Sequence, residues 1–237
     1  MIILNFIGDF HVHTVASGDA FGTIHEVTEI AKNKNMKCIA VTDHGPAMPA
    51  SSHAYYFNSL ASNVSQDNGV KIYPGVEANI IDKNGSLDLP EDVLSKLSFI
   101  IASFHPFSWD ITNSTAQNTQ ALRSCLLHYD VKAIAHMNKP YYKVNIEEIV
   151  PILIKKNICI ELNNRAIASD KNNWNRFKKE ILYSKSKGVK FIVSSDAHNI
   201  NQVGEFGDAL EFICFCGLEE DDIVNSSQDN LSYIIKK

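Results

Sequence analysis

The chain has 237 residues, 45% of them hydrophobic and 21% charged, with a formal net charge of −5. That is enough apolar material for one sizeable core. The charge argues against a nucleic-acid surface built on bulk positive charge, and no apolar run approaches the length of a membrane span. The first strand is expected where the apolar run 2–7, broken by Asn5, leads into Gly8-Asp9-Phe10-His11-Val12-His13. Alternate side chains of a strand share a face, so His11 and His13 should point the same way and form a ready chelate. Thr23 and Glu26 have the spacing of a capping box. Ile24, Val27, Ile30 and Ala31 continue that helix at its own period to about residue 35. Residues 37–42 read as a buried strand, stopped by Asp43-His44-Gly45-Pro46. A helix over 53–66 follows. A third strand over 71–79 bends at Pro74-Gly75 and carries Glu77, and 80–87 with Asn84-Gly85 reads as a small hairpin excursion.

The fourth strand is 97–105, ending in Ser103-Phe104-His105. A helix around 115–128 leads to a fifth strand over 131–136, ending in His136. Asn145 with Glu148 caps the next helix. The sixth strand is 158–163, and a helix over 173–187 stops at Gly188. The seventh strand, 190–195, closes in Asp196-Ala197-His198, and helical stretches near 204–215 and 227–236 complete the chain. Strands that are apolar on both faces and alternate with helices predict a parallel sheet with helices outside. We expect an α/β fold, a single domain over 1–237 built as a distorted (β/α)7 TIM-like barrel, with an open doubly wound sheet as the alternative. The common glycine-rich nucleotide cradles are missing. The five cysteines, including the pair Cys214 and Cys216, read as buried reduced thiols of a cytoplasmic protein. The N-terminus lacks the basic region of a cleaved signal peptide.

Chemistry-capable residues collect at the strand ends: His11 and His13, His44, Glu77, His105, His136, then Asp196 and His198. In a parallel barrel these ends converge on one face, where barrel enzymes keep their active sites. Partly desolvated imidazoles without partners are costly, and bound cations remove that cost. Eight donors exceed the three or four of one catalytic zinc site, so two or three ions are implied, with a bridging carboxylate. Imidazole-rich mixed N/O sites suit Zn, Mn or Fe.

The motifs His-Val-His-Thr-Val-Ala-Ser, Thr-Asp-His-Gly-Pro, Gly-Val-Glu-Ala-Asn-Ile, Ser-Phe-His, Glu-Leu-Asn-Asn and Ser-Asp-Ala-His occur in order over nearly the whole chain. Together they resemble the PHP (polymerase and histidinol phosphatase) family, and within it the YcdX-like phosphatase branch. The resemblance implies a trinuclear site on the C-terminal face of the barrel, where a metal-activated hydroxide hydrolyses phosphomonoesters without a protein nucleophile. It implies three divalent ions per chain, Zn foremost, with Mn or Fe as alternatives. One ion would be held by His11, His13, Glu77 and Asp196. A second would share Glu77 and take His105 and His136. A third would take His44 and His198, with Asp19 standing where the branch has a histidine. The expected partner is a small phosphorylated substrate, with neither nucleic acid nor membrane, and the branch suggests a homo-oligomer, a trimer.

Arg165 follows the sixth strand and is the candidate phosphate contact, with Lys139 behind it. Asp43 is expected to orient His44. His25, His53, His128 and Trp109 read as structural or solvated. The alternatives are a PHP-type exonuclease or phosphodiesterase and an amidohydrolase-like metallohydrolase. The second usually relies on a lysine at a strand end, and no ligand-bearing strand end here has one.

Overall fold

A computed structural model describes residues 4–235. In chain order the elements are β1 (Gly8–Val12), α1 (Ile24–Asn33), β2 (Cys38–Val41), α2 (Ala54–Asn63), β3 (Gln66–Asp67), β4 (Val70–Asn79), α3 (Glu91–Leu94), β5 (Phe99–Ser103), α4 (Thr115–His128) and β6 (Ala133–Ile134). Then come α5 (Ile146–Lys156), β7 (Cys159–Asn163), α6 (Asn164–Ser169), α7 (Trp174–Ser186), β8 (Phe191–Ser194), α8 (Gly207–Cys216) and α9 (Gln228–Leu231). Seven strands run parallel in the order β1-β2-β4-β5-β6-β7-β8, while the short β3 pairs antiparallel with β4. This is the expected α/β TIM-like barrel. No helix among the described residues is long and apolar enough to cross a membrane.

The ring closes just beyond β8. Asp196 N donates to His11 O at 3.0 Å and His13 N donates to Ala197 O at 2.9 Å. Lower in the same seam, Asn225 fills the gap between β8 and β1. Its amide donates to Gly8 O (3.0 Å) and Val193 O (2.8 Å), its Oδ1 accepts from Val193 N (3.0 Å), and its carbonyl accepts from Ile7 N (2.9 Å). Asp9, fully buried, adds a third tie by accepting from Ser195 N (3.0 Å) and Gly204 N (2.9 Å).

Inside the barrel, Phe10, Tyr73, Phe99, Ile101 and Ile192 form an apolar floor, and Val224, Leu231 and Ile234 plug it from below. The outward faces of the strands, with Val12, Ile39, Ile72, Ile100 and Leu162, pack against the helices. Phe10 and His11 both belong to the interior although they are neighbours. The register slips between Asp9 and Val12. Such a bulge re-aims side chains, and here it puts His11 and His13 together above the floor.

Several boundaries differ from the sequence expectation. β1 starts at Gly8, so residues 4–7 precede the strand, while Ile2, Ile3 and position 236 lie outside the described residues. α2 ends at Asn63, because Asn68 and Gly69 (φ 50° and 79°) form a tight turn that folds β3 back onto β4. β6 is only two residues long, since His136 adopts a left-handed φ of 59°. α6 was not expected: Asn163 Oδ1 accepts from Ala166 N at 2.8 Å and starts a helix directly at the end of β7. The capping box of α1 and the 80–87 excursion, closed by an antiparallel Ile80–Leu87 bridge, form as expected. Cys214 is exposed whereas Cys216 is buried. Two apart on α8, they face different ways and make no chelate.

Candidate metal centre

The strand ends meet around one carboxylate. Glu77, buried in β4, lies within 3.5 Å of ring nitrogens from five histidines. The distances are 2.8 Å to His44, 2.9 Å to His136, 3.3 Å to His11, 3.4 Å to His105 and 3.5 Å to His13. Asp196 Oδ1 is a second focus, 3.3 Å from His13 Nε2, 3.4 Å from His198 Nδ1 and 3.6 Å from His11 Nε2. Asp19 Oδ2 lies at the rim, 3.5 Å from His198 Nε2 and 3.6 Å from His44 Nε2. The structure therefore gathers every expected ligand into one cluster.

Local backbone geometry sets these positions. His136 and Asp196 both sit in the left-handed region, at φ 59° and 57°. Non-glycine residues pay about 1–3 kcal/mol to sit there, a strain that collects at functional sites. Gly18 (φ 83°) lets the loop after β1 close on the loop after β2, since a Cβ would meet Ala50 O at 2.4 Å. This close approach brings Asp19 over the site.

The hydrogen bonds on the far side of the rings fix their tautomers. His11 Nδ1 donates to Glu161 Oε1 at 2.6 Å, His13 Nδ1 to Ser17 Oγ at 2.8 Å and His105 Nδ1 to Asn79 Oδ1 at 2.7 Å. In its neutral form each ring then presents a bare Nε2 lone pair inward, where it faces carboxylate oxygens rather than donors. Among the buried side-chain atoms without a hydrogen-bond partner are His11 Nε2, His13 Nε2, His44 Nδ1, Glu77 Oε2, His136 Nδ1 and Asp196 Oδ1. His44 Nδ1 and Glu77 Oε2 are 2.8 Å apart yet misaligned for a hydrogen bond. Lone pairs converging on one buried point repel unless cations lie between them. The residues present fit divalent metal ions.

Three sets of side chains bring their ligand atoms within 4.8 Å of one another: His11, His13 and Asp196; His13, His44 and His198; His44, Glu77 and His105. The first holds three of the four ligands that the family resemblance implies for one ion, His11, His13 and Asp196 without Glu77. The others share His13 and His44 between neighbouring sets.

The charge balance shows the same frustration. Burial disfavours charge on His44, but Glu77 and Asp19 outweigh it and push its pKa up to about 10. Burial is likewise outweighed at His11, where Glu161, Glu77 and Asp196 hold the pKa well above the ordinary value. Burial and then the nearby His44 drive His13 well below it, and burial lowers His105. Glu77 and Asp196 resist burial through their histidines and stay well below the usual carboxylate range.

These shifts predict a pH dependence for chelator-stripped protein. A histidine whose pKa rises on folding stabilises the fold fully below its unfolded value of 6.5 and loses that contribution as pH climbs through its folded value. The melting temperature of stripped protein should fall between about pH 7 and 10. The metal-loaded form, with those lone pairs occupied, should fall less. Calorimetry across this range checks it, and a rising melting temperature for stripped protein would contradict it.

Some residues behave otherwise than the sequence suggested. Asp43 does not touch the His44 ring. It accepts from Thr14, Ser17 and Tyr56, and acts on His13 through Ser17. Arg165, exposed in the first turn of α6, places Nη1 2.6 Å from His198 Nδ1 at the mouth. Lys139 donates its backbone N–H to His136 O at 3.0 Å. His53 caps α2, His25 pairs with Asp67 and His128 with Glu91, all away from the cluster. Trp109 is buried and donates to Asn118 at 2.7 Å. Glu161 was missed. Its signal was a lone carboxylate inside the apolar run Cys159-Ile160-Glu161-Leu162, at inward parity with Asn163.

Comparison with known proteins agrees with this geometry. The PHP domain matches residues 9–165. A protein of Thermoanaerobacter sp. (strain X514) named as a probable phosphatase is 35% identical over 99% of this chain and 96% of its own length. A probable phosphatase of Acetivibrio thermocellus is 33% identical over 99% of this chain and 97% of its own. Among solved structures, the histidinol phosphate phosphatase of Lactococcus lactis, complexed with Zn, L-histidinol and phosphate, superposes with a TM-score of 0.62 at 16% identity. That superposition covers 90% of this chain and 94% of the other, and it shows a shared fold. From its ordered motifs, its converged strand ends and these relatives, the chain belongs to the PHP family.

Proposed function

We propose that the protein is a metal-dependent phosphatase that hydrolyses small phosphomonoesters at a centre of three divalent ions, with zinc foremost. The observation that carries this reading is the set of orphaned lone pairs around Glu77 and Asp196. Closely spaced divalent ions at such a centre supply charge neutralisation for phosphoryl oxygens and an activated water. His11, His13, Glu77 and Asp196 would hold one ion, Glu77 with His105 and His136 a second, and His44, His198 and Asp19 a third.

Among the described residues, three serines beside the centre are already engaged with carboxylates. Ser17 donates to Asp43 at 2.8 Å, Ser194 donates to Glu161, and Ser195 is bonded to Asp9. Each of these three hydroxyls is directed at a buried carboxylate. Arg165 is an exposed cation at the rim, and its guanidinium would exchange His198 for a phosphate oxygen. Replacing it with alanine should raise KM about 10- to 100-fold, the worth of one charge-assisted hydrogen bond, with kcat changed far less. Steady-state kinetics on 4-nitrophenyl phosphate and glycerol phosphate check this, and an unchanged KM on both removes Arg165 from the site. The reading as a whole is tested by comparing phosphomonoester and phosphodiester hydrolysis before and after chelation. Turnover of diesters alone, or a trapped phosphoenzyme, would overturn it.

A further inference from the structure

The Ser17 hydroxyl is a crossing point between two strand-end loops. It donates to Asp43 Oδ1 at 2.8 Å, and it accepts from His13 Nδ1 at 2.8 Å and from His44 N at 3.1 Å. An oxygen with one proton and two lone pairs has nothing further to offer. Asp43 is as fully engaged. Its Oδ1 also accepts from Thr14 N at 2.6 Å, and its Oδ2 accepts from Thr14 Oγ1 at 2.9 Å and Tyr56 Oη at 2.5 Å. Ser17 and Asp43 are both completely buried. Every donor to this carboxylate is a hydroxyl or a backbone amide, so its negative charge is undiminished by any ion pair among the described residues. The bond through Ser17 delivers that charge to His13.

We propose that Ser17 and Asp43 form a carboxylate–hydroxyl–imidazole relay that positions His13 for metal binding and fixes the loop carrying Asp19. Ser17 is thus a positioning residue. The inference rests on the metal-centre reading above. Its consequence is local. His13 belongs to two of the three ligand sets and His44 to two, and Ser17 is bonded to both residues. Ser17 also ends the 3-10 turn Val15–Ser17, whose cap Thr14 is itself held by Asp43, and Asp19 follows one residue beyond Gly18. Losing the hydroxyl would free the His13 ring and loosen a rim ligand together. The neighbouring His11 is oriented directly by Glu161, so it should keep its ring position.

The test uses Co2+ alone on the chelator-stripped full chain, read by chelator competition and by visible absorption of the bound ion. Ser17→Ala should weaken Co2+ binding about 10- to 100-fold, the usual cost of losing a partner behind a ligand, and should alter the absorption band. Ser17→Thr, which keeps the hydroxyl, and Tyr56→Phe, which removes a donor from the Asp43 oxygen that does not bond Ser17, should both stay within about threefold of wild type. Wild-type affinity and spectrum in Ser17→Ala would overturn the relay. So would equal losses in Ser17→Ala and Tyr56→Phe accompanied by a matching fall in melting temperature, which would mark a general packing role. Independently of how the variants fold, the Zn-loaded wild type should show a slowly exchanging His13 Nδ1–H in 15N-edited spectra. Its absence would also overturn the relay. A wild type that binds no Co2+ at all would instead bring down the metal-centre reading itself, and the relay with it.

Discussion

Glu77→Gln should lower kcat/KM for a phosphomonoester on the order of 1000-fold and reduce the number of bound ions, while leaving the barrel folded. Among the described residues, Glu77 is the one carboxylate within reach of five histidines. Glutamine keeps the shape but loses the charge, and it turns an amide N–H toward lone pairs that must face a cation. A ligand shared between ions is coupled to its neighbours, so its loss should exceed that of any single rim residue. Asp19→Ala offers the contrast. Asp19 is half-exposed and reaches two histidines, His44 and His198, so its loss should be the smaller. Elemental analysis with steady-state kinetics decides the matter. Wild-type metal content with activity within tenfold in Glu77→Gln would remove it from the centre.

The second large effect concerns stability. Asn225→Ala should cost about 3–5 kcal/mol, because three seam groups lose their partner at once and each buried orphan costs about 1–3 kcal/mol before relaxation. Those groups are Gly8 O, Val193 O and Val193 N, and they lie where β1 and β8 fail to pair directly. Urea titration should show a lower midpoint with an unchanged slope. A loss below about 1 kcal/mol would mean that solvent or strand rearrangement closes the seam instead. His11 and Asp196 flank the same seam through the His11 O–Asp196 N bond. The variant should therefore also bind metal more weakly, even where it remains folded.

The parts of this molecule that could be read from its residues are those written locally. The capping box at Thr23 and Glu26 occupies one turn and forms as expected. Apolar runs ending in His44, Glu77, His105 and Asp196 mark the strands and the face on which they converge. What could not be read depends on partners far away in the chain. Asn225 and Gly8 are separated by 217 residues, and Glu161 and His11 by 150. No spacing rule connects such pairs. The bulge in β1 arises where Asp9 is drawn to the backbone of Ser195 and Gly204, so the parity that joins Phe10 and His11 on one side follows from closing the barrel. Asp43 illustrates the limit within a motif. Its place next to His44 suggested a partner for that ring, yet the strand directs its side chain to Ser17 and on to His13. The tight turn at Asn68-Gly69, by contrast, had a local signature, but the helix expected over 53–66 extended past Asn63 to Gln66, the first residue of the strand that this turn folds back.

On the proposed function, the orphaned lone pairs around Glu77 and Asp196 hold a multinuclear metal centre that hydrolyses phosphomonoesters. Native mass spectrometry of the purified protein, paired with a phosphomonoesterase assay on the same sample before and after chelation, tests it most directly. Three divalent ions per chain are expected, with an activity that disappears on chelation and returns with zinc or manganese. One ion or none, with hydrolysis unaffected by the chelator, would contradict it.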